Sequence, residues 1–364
     1  MKPHFATPFV YSTRATRIIF GAGSLERLGD ELDELGIRRA LVLCTPEQRQ
    51  LAERVRAIGG SRCHALFDGA VMHVPVETAE AGVRAAKEQG ADGIVAAGGG
   101  STLGLAKAIA LETSLPIVAI PTTYAGSEVT SIYGLTAGNE KKTGKSHRVL
   151  PRTAIYDANL TLTLPVALSA TSGLNAIAHA AEGLYAQDGN PVMSMFAEEG
   201  IRSLAQGLPL VCERPQDIDA REVTQYGAWL CGTVLGNVGM ALHHKLCHTL
   251  GGTLNLPHAE THAVILPYAM AFNLPVAHDA RDRLSRALET DDPSRALFDL
   301  GRKLATPASL AELGVREADL DRVSEIAMRS PYFNPRPLTR QSIRTLLQMA
   351  FEGDVPNSSA FACQ

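Results

Sequence analysis

The chain of 364 residues is long enough to form two domains with separate hydrophobic cores. Its net charge of -4 and pI near 6.3 exclude the basic footprint of a nucleic-acid-binding protein, and 45% hydrophobic with 20% charged residues is ordinary for a globular protein. The sequence begins with no apolar signal segment and has no apolar run of membrane-spanning length. Its six cysteines are scattered without a CxxC pair. We therefore expect a cytoplasmic protein with neither membrane nor nucleic acid as a partner.

Strand and helix patterns alternate through the first 160 residues. Residues 5–20 predict a strand or hairpin, and buried strands are predicted at 39–44, 93–97 and 116–120. Helices are predicted at 25–35, up to 58, at 76–89 and up to 111. Strands that alternate with helices of this length predict a parallel α/β sheet.

From residue 160 onward the pattern is helical. Helices are predicted at about 168–186, 191–207, 219–236, 239–250, 259–273, 279–288, 293–304, 308–313, 317–329 and 339–352. We therefore expect an α/β domain at residues 1–160 and an all-helical domain at residues 161–364.

A glycine-rich turn follows the predicted strand at 93–97 and precedes a helix. Its residues are Gly98, Gly99, Gly100 and Ser101. Glycines let the backbone approach a ligand closely, and a helix start offers free N–H groups and a positive dipole end, which suit a pyrophosphate. The turn matches neither GxGxxG nor the P-loop pattern, so a tight turn without a ligand is the alternative.

The next predicted strand also ends in small and hydroxyl residues, which include Thr122, Thr123 and Ser127. Two successive strand ends of this kind build a crevice at the carboxyl edge of the sheet, the usual ligand position in open α/β folds. A dinucleotide fits such a crevice. Residues 140–145 carry three lysines and predict a solvated hairpin tip, unless one lysine reaches a phosphate or a ribose.

Five of the 11 histidines fall within residues 243–262. His244 and His248 are four residues apart, so they share one face of a predicted helix. Gly251-Gly252 can end that helix, and His258 starts the next element, where a return of the chain would bring it beside the first pair.

Asn175 and His179 have the same spacing and are followed by Glu182. An amide and several imidazoles thus converge from two helices and a helix start. Each residue alone is as well explained by a packed core histidine or a surface histidine, whereas the cluster indicates an active site.

These motifs occur in an order and spacing that resembles the iron-containing (group III) alcohol dehydrogenase superfamily over essentially the whole chain. The residues that carry the resemblance are Gly98–Ser101, Pro121–Thr123, Gly126–Glu128, Asn175 with His179, and His244 to His258. Within the superfamily the sequence is most similar to the maleylacetate reductases, through Phe20–Ser24, Ala70–Pro75, Asn175–Glu182 and Tyr332–Pro337.

The resemblance implies an N-terminal α/β dinucleotide-binding domain and an all-α C-terminal domain, the dehydroquinate synthase-like architecture, with the active site in the cleft between them and a homodimer as the assembly. It also implies NADH or NADPH as the cofactor. The residues that would hold the cofactor are Gly98, Gly99, Gly100 and Ser101 at the pyrophosphate, Thr122, Thr123 and Ser127 on the adenine and nicotinamide side, and Lys141 near the nicotinamide ribose.

Two positions depart from the superfamily pattern. Metal-dependent members hold a divalent ion with one Asp and three His, which match Asn175, His179, His244 and His258 here. A carboxamide removes the only negative charge among the four ligands, so we expect weak or no metal binding, with a three-histidine zinc site as the alternative. NAD-specific members carry an acidic residue where Thr45 stands, so we expect both NADH and NADPH to be used.

For maleylacetate reductases the implied reaction is the NAD(P)H-dependent reduction of the conjugated C=C bond of maleylacetate to 3-oxoadipate, in the degradation of aromatic compounds. The catalytic candidates, as hydrogen-bond and proton donors, are Asn175, His179, His244, His248 and His258. A dicarboxylate substrate also needs cationic or N–H partners. The substrate-binding candidates are Arg336, for which a surface arginine is the alternative, His73 and Tyr124.

Three other functions stay open. A metal-dependent alcohol dehydrogenase acting on small alcohols or aldehydes would be marked by bound iron or zinc. A lyase like dehydroquinate synthase needs many basic residues for a phosphate, which the helical half does not concentrate. A non-catalytic NAD-binding protein would have no reason to retain the whole histidine set.

Overall fold

The computed structural model describes residues 9, 11–12, 16–137, 140–329 and 331–361, and only the backbone of Glu140 and Lys141. Most of the strand or hairpin predicted before residue 16 lies outside these residues. The chain forms two compact units, Arg14–Leu164 with Gln216–Gln225, and Pro165–Pro215 with Tyr226–Gln364. Among the described residues no helix combines the length and the apolar character that a membrane crossing requires.

The first unit is built on a parallel sheet. The strands are β1 (Arg17–Phe20), β2 (Ala40–Leu43), β3 (Ala65–Phe67), β4 (Gly93–Gly98), β5 (Ile117–Pro121), β6 (Ile132–Ala137), β7 (Glu140–Lys145) and β8 (Thr153–Tyr156). Six of them pair in the order β1-β8-β5-β4-β2-β3, and β6 with β7 forms a separate antiparallel hairpin. Every residue of β2, β4, β5 and β8 is buried, as is typical of strands covered on both faces.

The helices of this unit are α1 (Leu28–Glu34), α2 (Arg49–Gly59), α3 (Val76–Glu88) and α4 (Gly100–Thr113). The predicted alternation of strands and helices is confirmed. One local prediction is wrong, because residues 140–145 form strand β7 rather than a hairpin tip. Lys142, Thr143 and Lys145 are exposed on this two-stranded ribbon, so the strand carries polar residues without the alternation that would mark it.

The remaining helices are α5 (Val166–Gly183), α6 (Pro191–Glu213), α7 (Ile218–Asn237), α8 (Leu242–Leu254), α9 (His258–Asn273), α10 (His278–Leu288), α11 (Pro293–Lys303), α12 (Asp319–Met328) and α13 (Arg340–Glu352). All of these helices were predicted, with differences only in their end residues. The predicted helix at 308–313 is wrong, because these residues form a series of turns. Residues 169–183 of α5 and 261–273 of α9 are all buried. These two helices pack against each other, and α8 packs on α9, so the histidine-bearing elements form the centre of the helical unit.

Candidate active site

The turn between β4 and α4 brings the backbone close to neighbouring side chains. Gly98 has a φ of 158°. A Cβ at Gly98 would lie 2.4 Å from Thr102 Oγ1, and a Cβ at Gly99 would lie 2.8 Å from Thr123 Cγ2. A Cβ at Gly100 would meet nothing within 4 Å. The first two glycines are therefore required by close packing, and the third leaves open space at the helix start.

The N-terminus of α4 is free of side-chain capping. Its N-cap residue is Gly99, and within the described residues the helix start has no side-chain cap hydrogen bond. The N–H groups of this turn and the positive end of the helix dipole are available to an anion. Thr122 and Thr123 follow β5, the direct neighbour of β4, and the Thr122 N–H donates to the Gly98 carbonyl at 3.3 Å. The glycine turn and both threonines thus meet at the carboxyl edge of the sheet.

Gln48 also belongs to this edge, although the sequence did not indicate it. Its Nε2 donates to Thr122 Oγ1 at 2.9 Å. Its Oε1 is shielded from solvent without a hydrogen-bond partner among the described residues. No motif marks a lone glutamine after β2. Only the pairing of β2 with β4 brings it to the turn.

Ser127 lies on a short 3-10 turn, Ser127–Val129, between β5 and β6. Beneath it the buried Lys107 of α4 donates from Nζ to both oxygens of Thr130 at 2.9 Å. Burial lowers the pKa of Lys107 to about 7, while the Glu128 carboxyl acts in the opposite direction. Lys107 therefore joins the segment between β5 and β6, which carries Ser127, to α4, the helix that begins at the glycine turn.

Tyr124 is a correction to the sequence prediction. Its side chain is fully buried, and its hydroxyl accepts a hydrogen bond from Nη1 of the buried Arg221 at 3.2 Å. Arg221 also donates from Nη2 to the Leu164 carbonyl at 3.3 Å. A phenol enclosed in this way is a core residue, so Tyr124 is not available to a substrate.

His73 is exposed and lies in the α/β unit, whereas the histidine cluster lies in the helical unit. Its backbone is left-handed, with φ of 67°, and Val74 follows with φ of 48°. The His73 carbonyl accepts from Thr136 Oγ1 at 2.7 Å. The side chain of Lys141, predicted to lie near the nicotinamide ribose, is outside the described residues.

In the helical unit, Asn175, His179 and Glu182 lie on one face of α5 and all three are buried. Their spacing of four and three residues stacks them along the helix. The ring of His179 lies 5.0 Å from that of His244 on α8, centroid to centroid. The predicted convergence of the two helices is therefore present in the structure.

Glu182 organises the start of α8. Its carboxylate accepts from the backbone N–H groups of Ala241, His243 and His244 at 3.0, 2.7 and 3.3 Å. It is also 2.7 Å from His244 Nδ1. A carboxylate that already receives three N–H groups acts as an acceptor, so His244 Nδ1 is the donor and Nε2 is the ring nitrogen left to meet a ligand.

The chain turns back between α8 and α9 as the sequence predicted, although a different residue ends α8. α8 continues through Gly251-Gly252 to Leu254, because Asn255 supplies the left-handed position, with φ of 55°. α9 begins at His258, whose ring lies 6.2 Å from that of His248, nearly parallel to it. Both of these imidazoles are exposed, which places them at the open side of the cluster.

Two further histidines complete the cluster and were absent from the predicted set. The His262 ring lies 4.3 Å from that of His258 and 4.9 Å from that of His244. His262 Nδ1 and His243 Nε2 are hydrogen-bonded at 3.0 Å. His262 follows His258 by four residues, so the spacing rule applied to His244 would also have found it.

Burial holds the pKa values of His179, His243 and His262 well below 6.5, and the neighbouring imidazoles lower them further. These rings are therefore neutral near pH 7. Five buried polar atoms of the cluster have no hydrogen-bond partner among the described residues: Asn175 Oδ1, His179 Nδ1, His243 Nδ1, His244 Nε2 and His262 Nε2. Unpaired polar atoms are rare in protein interiors, so this concentration indicates a site that binds a ligand.

Arg336 holds the chain end in place. Its terminal nitrogens donate to the carbonyl of Phe272 at 3.1 Å and to that of Phe361. The guanidinium lies 4.9 and 5.7 Å from the centres of the same two phenyl rings. One N–H of each terminal nitrogen is used in these bonds, and the role of Arg336 in binding a substrate carboxylate stays a prediction.

The fold and the site define a two-unit oxidoreductase with a dinucleotide-binding sheet and a helical histidine site. Residues 15–158 match the family described as iron-containing alcohol dehydrogenase, and residues 169–351 match its C-terminal part. The chain belongs to this family, and its members' cofactor is a nicotinamide dinucleotide.

Relatives within the family are named maleylacetate reductase. The chain is 56% identical over 348 residues to the maleylacetate reductase of Pseudomonas sp. (strain P51), covering 96% of this chain and 99% of the relative. The crystal structure of maleylacetate reductase from Agrobacterium tumefaciens superposes with a TM-score of 0.94 at 52% identity, covering 96% and 100% of the two chains. That from Rhizobium sp. strain MTP-10005 superposes with a TM-score of 0.93 at 53% identity, covering 96% and 99%.

The family name implies iron, which is at odds with the expectation of weak or no metal binding. Within the described residues, three side chains of the metal-binding types His, Cys, Asp and Glu have ligating atoms that all lie within 4.8 Å of one another. They are His243, His244 and His262. The first and last of these are hydrogen-bonded to each other, and the nearby Glu182 is occupied by N–H donors. The family's carboxylate position is Asn175. These donors, none of which supplies a free carboxylate, do not fit the family's iron centre.

Proposed function

We propose that this protein reduces maleylacetate to 3-oxoadipate with NADH or NADPH, as a step in the degradation of aromatic compounds. The observation that carries the proposal is the cluster of buried, unpaired polar atoms in which Asn175, an uncharged carboxamide, accompanies the neutral imidazoles of His179 and His262. The identities of 56% and 52% to proteins named maleylacetate reductase support it.

Hydrogen-bond donors suit this reaction better than a strong Lewis acid does. Hydride from the nicotinamide adds to the alkene carbon β to the ketone, and the negative charge spreads over an enolate. Donors aimed at the enolate oxygen stabilise it only as the transition state forms, which is the condition for raising kcat. A proton then goes to the carbon α to the ketone.

Asn175, His179 and His258 are proposed as the groups that stabilise the enolate and donate the proton, with His248 as a further donor. His244 gives its Nδ1–H to Glu182, so it is proposed to act through Nε2 when that nitrogen carries a proton. His248 and His258 are exposed, whereas Asn175, His179 and His244 are buried. The exposed pair therefore has access to both solvent protons and substrate. Glu182 positions His244 by accepting its Nδ1–H, a contact that sets both ring orientation and tautomer.

The cofactor is proposed to bind at the carboxyl edge of the α/β sheet. Its pyrophosphate would meet Gly98, Gly99, Gly100 and Ser101, where the first turn of α4 is uncapped. The residues proposed to flank it are Thr122, Thr123 and Ser127, with Lys141 near the nicotinamide ribose. Thr45 leaves no acidic side chain at its own position to repel a 2′-phosphate, so both coenzymes are proposed as donors.

We also propose that the reaction needs no metal. The test is oxidation of NADH and NADPH with maleylacetate by chelator-treated protein, together with metal analysis of the untreated protein. Full activity after chelation supports the proposal. Loss of activity that zinc or iron restores would overturn it, because Asn175 would then tolerate the ion.

A metal-dependent alcohol dehydrogenase is the second candidate function, favoured by membership of the iron-containing family. It is separated from the first by substrate: oxidation of small alcohols that depends on added iron, without maleylacetate reduction, would select it.

Two further features of the protein are proposed. A cytoplasmic location agrees with five cysteines that form no disulfide in the described residues, Cys44, Cys63, Cys212, Cys231 and Cys247. A homodimer is proposed from the superfamily resemblance, and light scattering in solution tests it.

A further inference from the structure

The helices that form the histidine cluster carry one cation. Across the described helices α5, α8 and α9, Lys245 is the only lysine or arginine. It lies on α8 directly after His244, and its side chain is half-buried. Among the described residues no carboxylate forms an ion pair with its ammonium. A half-buried unpaired cation in an otherwise neutral cluster is a ready partner for an anionic ligand.

Tyr332 covers this lysine. The Lys245 Nζ lies over the Tyr332 ring, 5.6 Å from its centre, which is within the range of a cation–π contact. The Tyr332 hydroxyl is shielded from solvent and has no hydrogen-bond partner among the described residues. An unpaired buried hydroxyl costs free energy, so it indicates a missing acceptor.

The Tyr332 hydroxyl is also influenced by the Glu182 carboxylate. Burial raises the pKa of Tyr332, and the Glu182 carboxylate adds to the rise. Glu182 is the residue that holds His244, so the Tyr332 hydroxyl lies within electrostatic reach of the proposed catalytic groups. A cavity of about 220 Å³ opens beside Tyr332 and is lined also by Met328, Asn334, Arg336 and Leu338. Arg336 lines the same cavity, and one N–H of each of its terminal nitrogens donates to a backbone carbonyl.

We propose that Lys245 and Tyr332 together bind a carboxylate of the substrate beside the histidine cluster. The ammonium supplies the charge and the phenol supplies a directed O–H donor, and a carboxylate oxygen accepts from each. The inference rests on the proposed function, because a dicarboxylate substrate is what requires such a pair. The substrate-binding role predicted for Arg336 is a separate hypothesis.

The test begins with wild-type reduction of maleylacetate, since its absence would overturn the proposed function and this inference together. With an active wild type, Lys245→Met is expected to raise KM for maleylacetate about 10- to 100-fold, the range for a lost hydrogen bond to a charged group. KM for NADH should stay unchanged. Lys245→Arg should recover part of the loss. Lys303→Met, which removes an exposed lysine on α11, is the matched control and should leave both constants unchanged.

Two half-acids separate carboxylate binding from a general disturbance of the site. One is 4-oxopent-2-enoate, which lacks the carboxylate beyond the ketone, and the other is 3-oxopent-4-enoate, which lacks the carboxylate on the alkene. For the half-acid that lacks the bound carboxylate, wild type and Lys245→Met should have the same KM. An equal loss on both half-acids, or an unchanged KM for maleylacetate, would overturn the inference.

Tyr332→Phe gives an independent measurement and keeps the aromatic ring over Lys245. It is expected to raise KM for maleylacetate about 3- to 10-fold, the range for a neutral hydrogen bond, with kcat little changed. If Lys245→Met fails to fold by circular dichroism, Tyr332→Phe and Lys245→Gln decide the matter on the same substrates. Unchanged KM in both would remove the pair from the substrate site.

Discussion

Glu182→Gln changes one buried carboxylate that supports two features, the start of α8 and the orientation of His244. The amide keeps one oxygen, which can still accept from Ala241, His244 and His244 Nδ1, the three donors that now meet Oε2. The new NH₂ group replaces Oε1 and faces the N–H of His243, which now donates at 2.7 Å. That N–H would be left buried without an acceptor.

The free energy of unfolding should fall by about 4 to 6 kcal/mol. An unsatisfied buried donor costs about 1 to 3 kcal/mol, and each bond that changes from charged to neutral acceptor loses about 1 kcal/mol. kcat should fall about 10- to 100-fold, because a neutral amide oxygen holds the His244 Nδ1–H more weakly than the carboxylate does. Urea unfolding measures the first quantity and steady-state reduction of maleylacetate measures the second.

Asp188→Asn is the matched control. Asp188 Oδ1 accepts from the N–H of Gly239 at 2.7 Å, so it also holds the segment before α8, but it is exposed. Its replacement should change kcat by less than about twofold and the unfolding free energy by less than about 1 kcal/mol. A Glu182→Gln protein that behaves like this control would refute the reasoning that Glu182 positions His244.

Four other outcomes are expected. Burial lowers the pKa values of His179, His243 and His262, so the unfolded chain takes up protons first as pH falls through 6.5, and stability is lost below that pH. From pH 6.5 to 5.5 the free energy of unfolding in urea titrations should fall by about 1 kcal/mol per histidine. A flat profile would contradict the neutral state of these histidines. Thr45→Asp should lower kcat/KM for NADPH at least about 10-fold relative to NADH, by repulsion of the 2′-phosphate; equal losses with both coenzymes would place the ribose elsewhere. Gly99→Val should raise KM for NADH about 10-fold or more, since its Cβ would meet Thr123 Cγ2 at 2.8 Å, while the unchanged KM for maleylacetate serves as internal control. Arg336→Leu should lower the unfolding free energy by about 2 to 4 kcal/mol with KM for maleylacetate within twofold, because its bonds go to two backbone carbonyls; a selective rise in KM would restore the substrate role.

Local patterns accounted for much of the fold. The strand at 93–97, the glycine turn after it and the helix that follows are contiguous in the chain, so their pattern predicted β4 and the start of α4. β7 was missed because an exposed ribbon imposes no hydrophobic alternation on its residues. The end of α8 was misplaced because Asn255, rather than either glycine, takes the left-handed backbone.

The candidate site divides in the same way. His244 and His248 were found by helical spacing, and His258 by its place at the start of the next helix, both properties of the chain itself. The spacing could not show that the Tyr124 phenol faces inward to Arg221, because the direction of a side chain in a loop depends on what packs around it.

By itself, the sequence determined the alternation of strands and helices before the helical part, the glycine turn, the histidine spacing and the family resemblance, since all of these are set by residues close together in the chain. Only the tertiary structure decided that Gln48 reaches the turn after β4, that Glu182 holds His244 and that Lys245 meets Tyr332. Each of these contacts joins residues far apart in sequence, and each is made by packing of helices and strands against one another. Single polar residues leave no periodic signal in the chain, so their partners become known only when the fold brings them together.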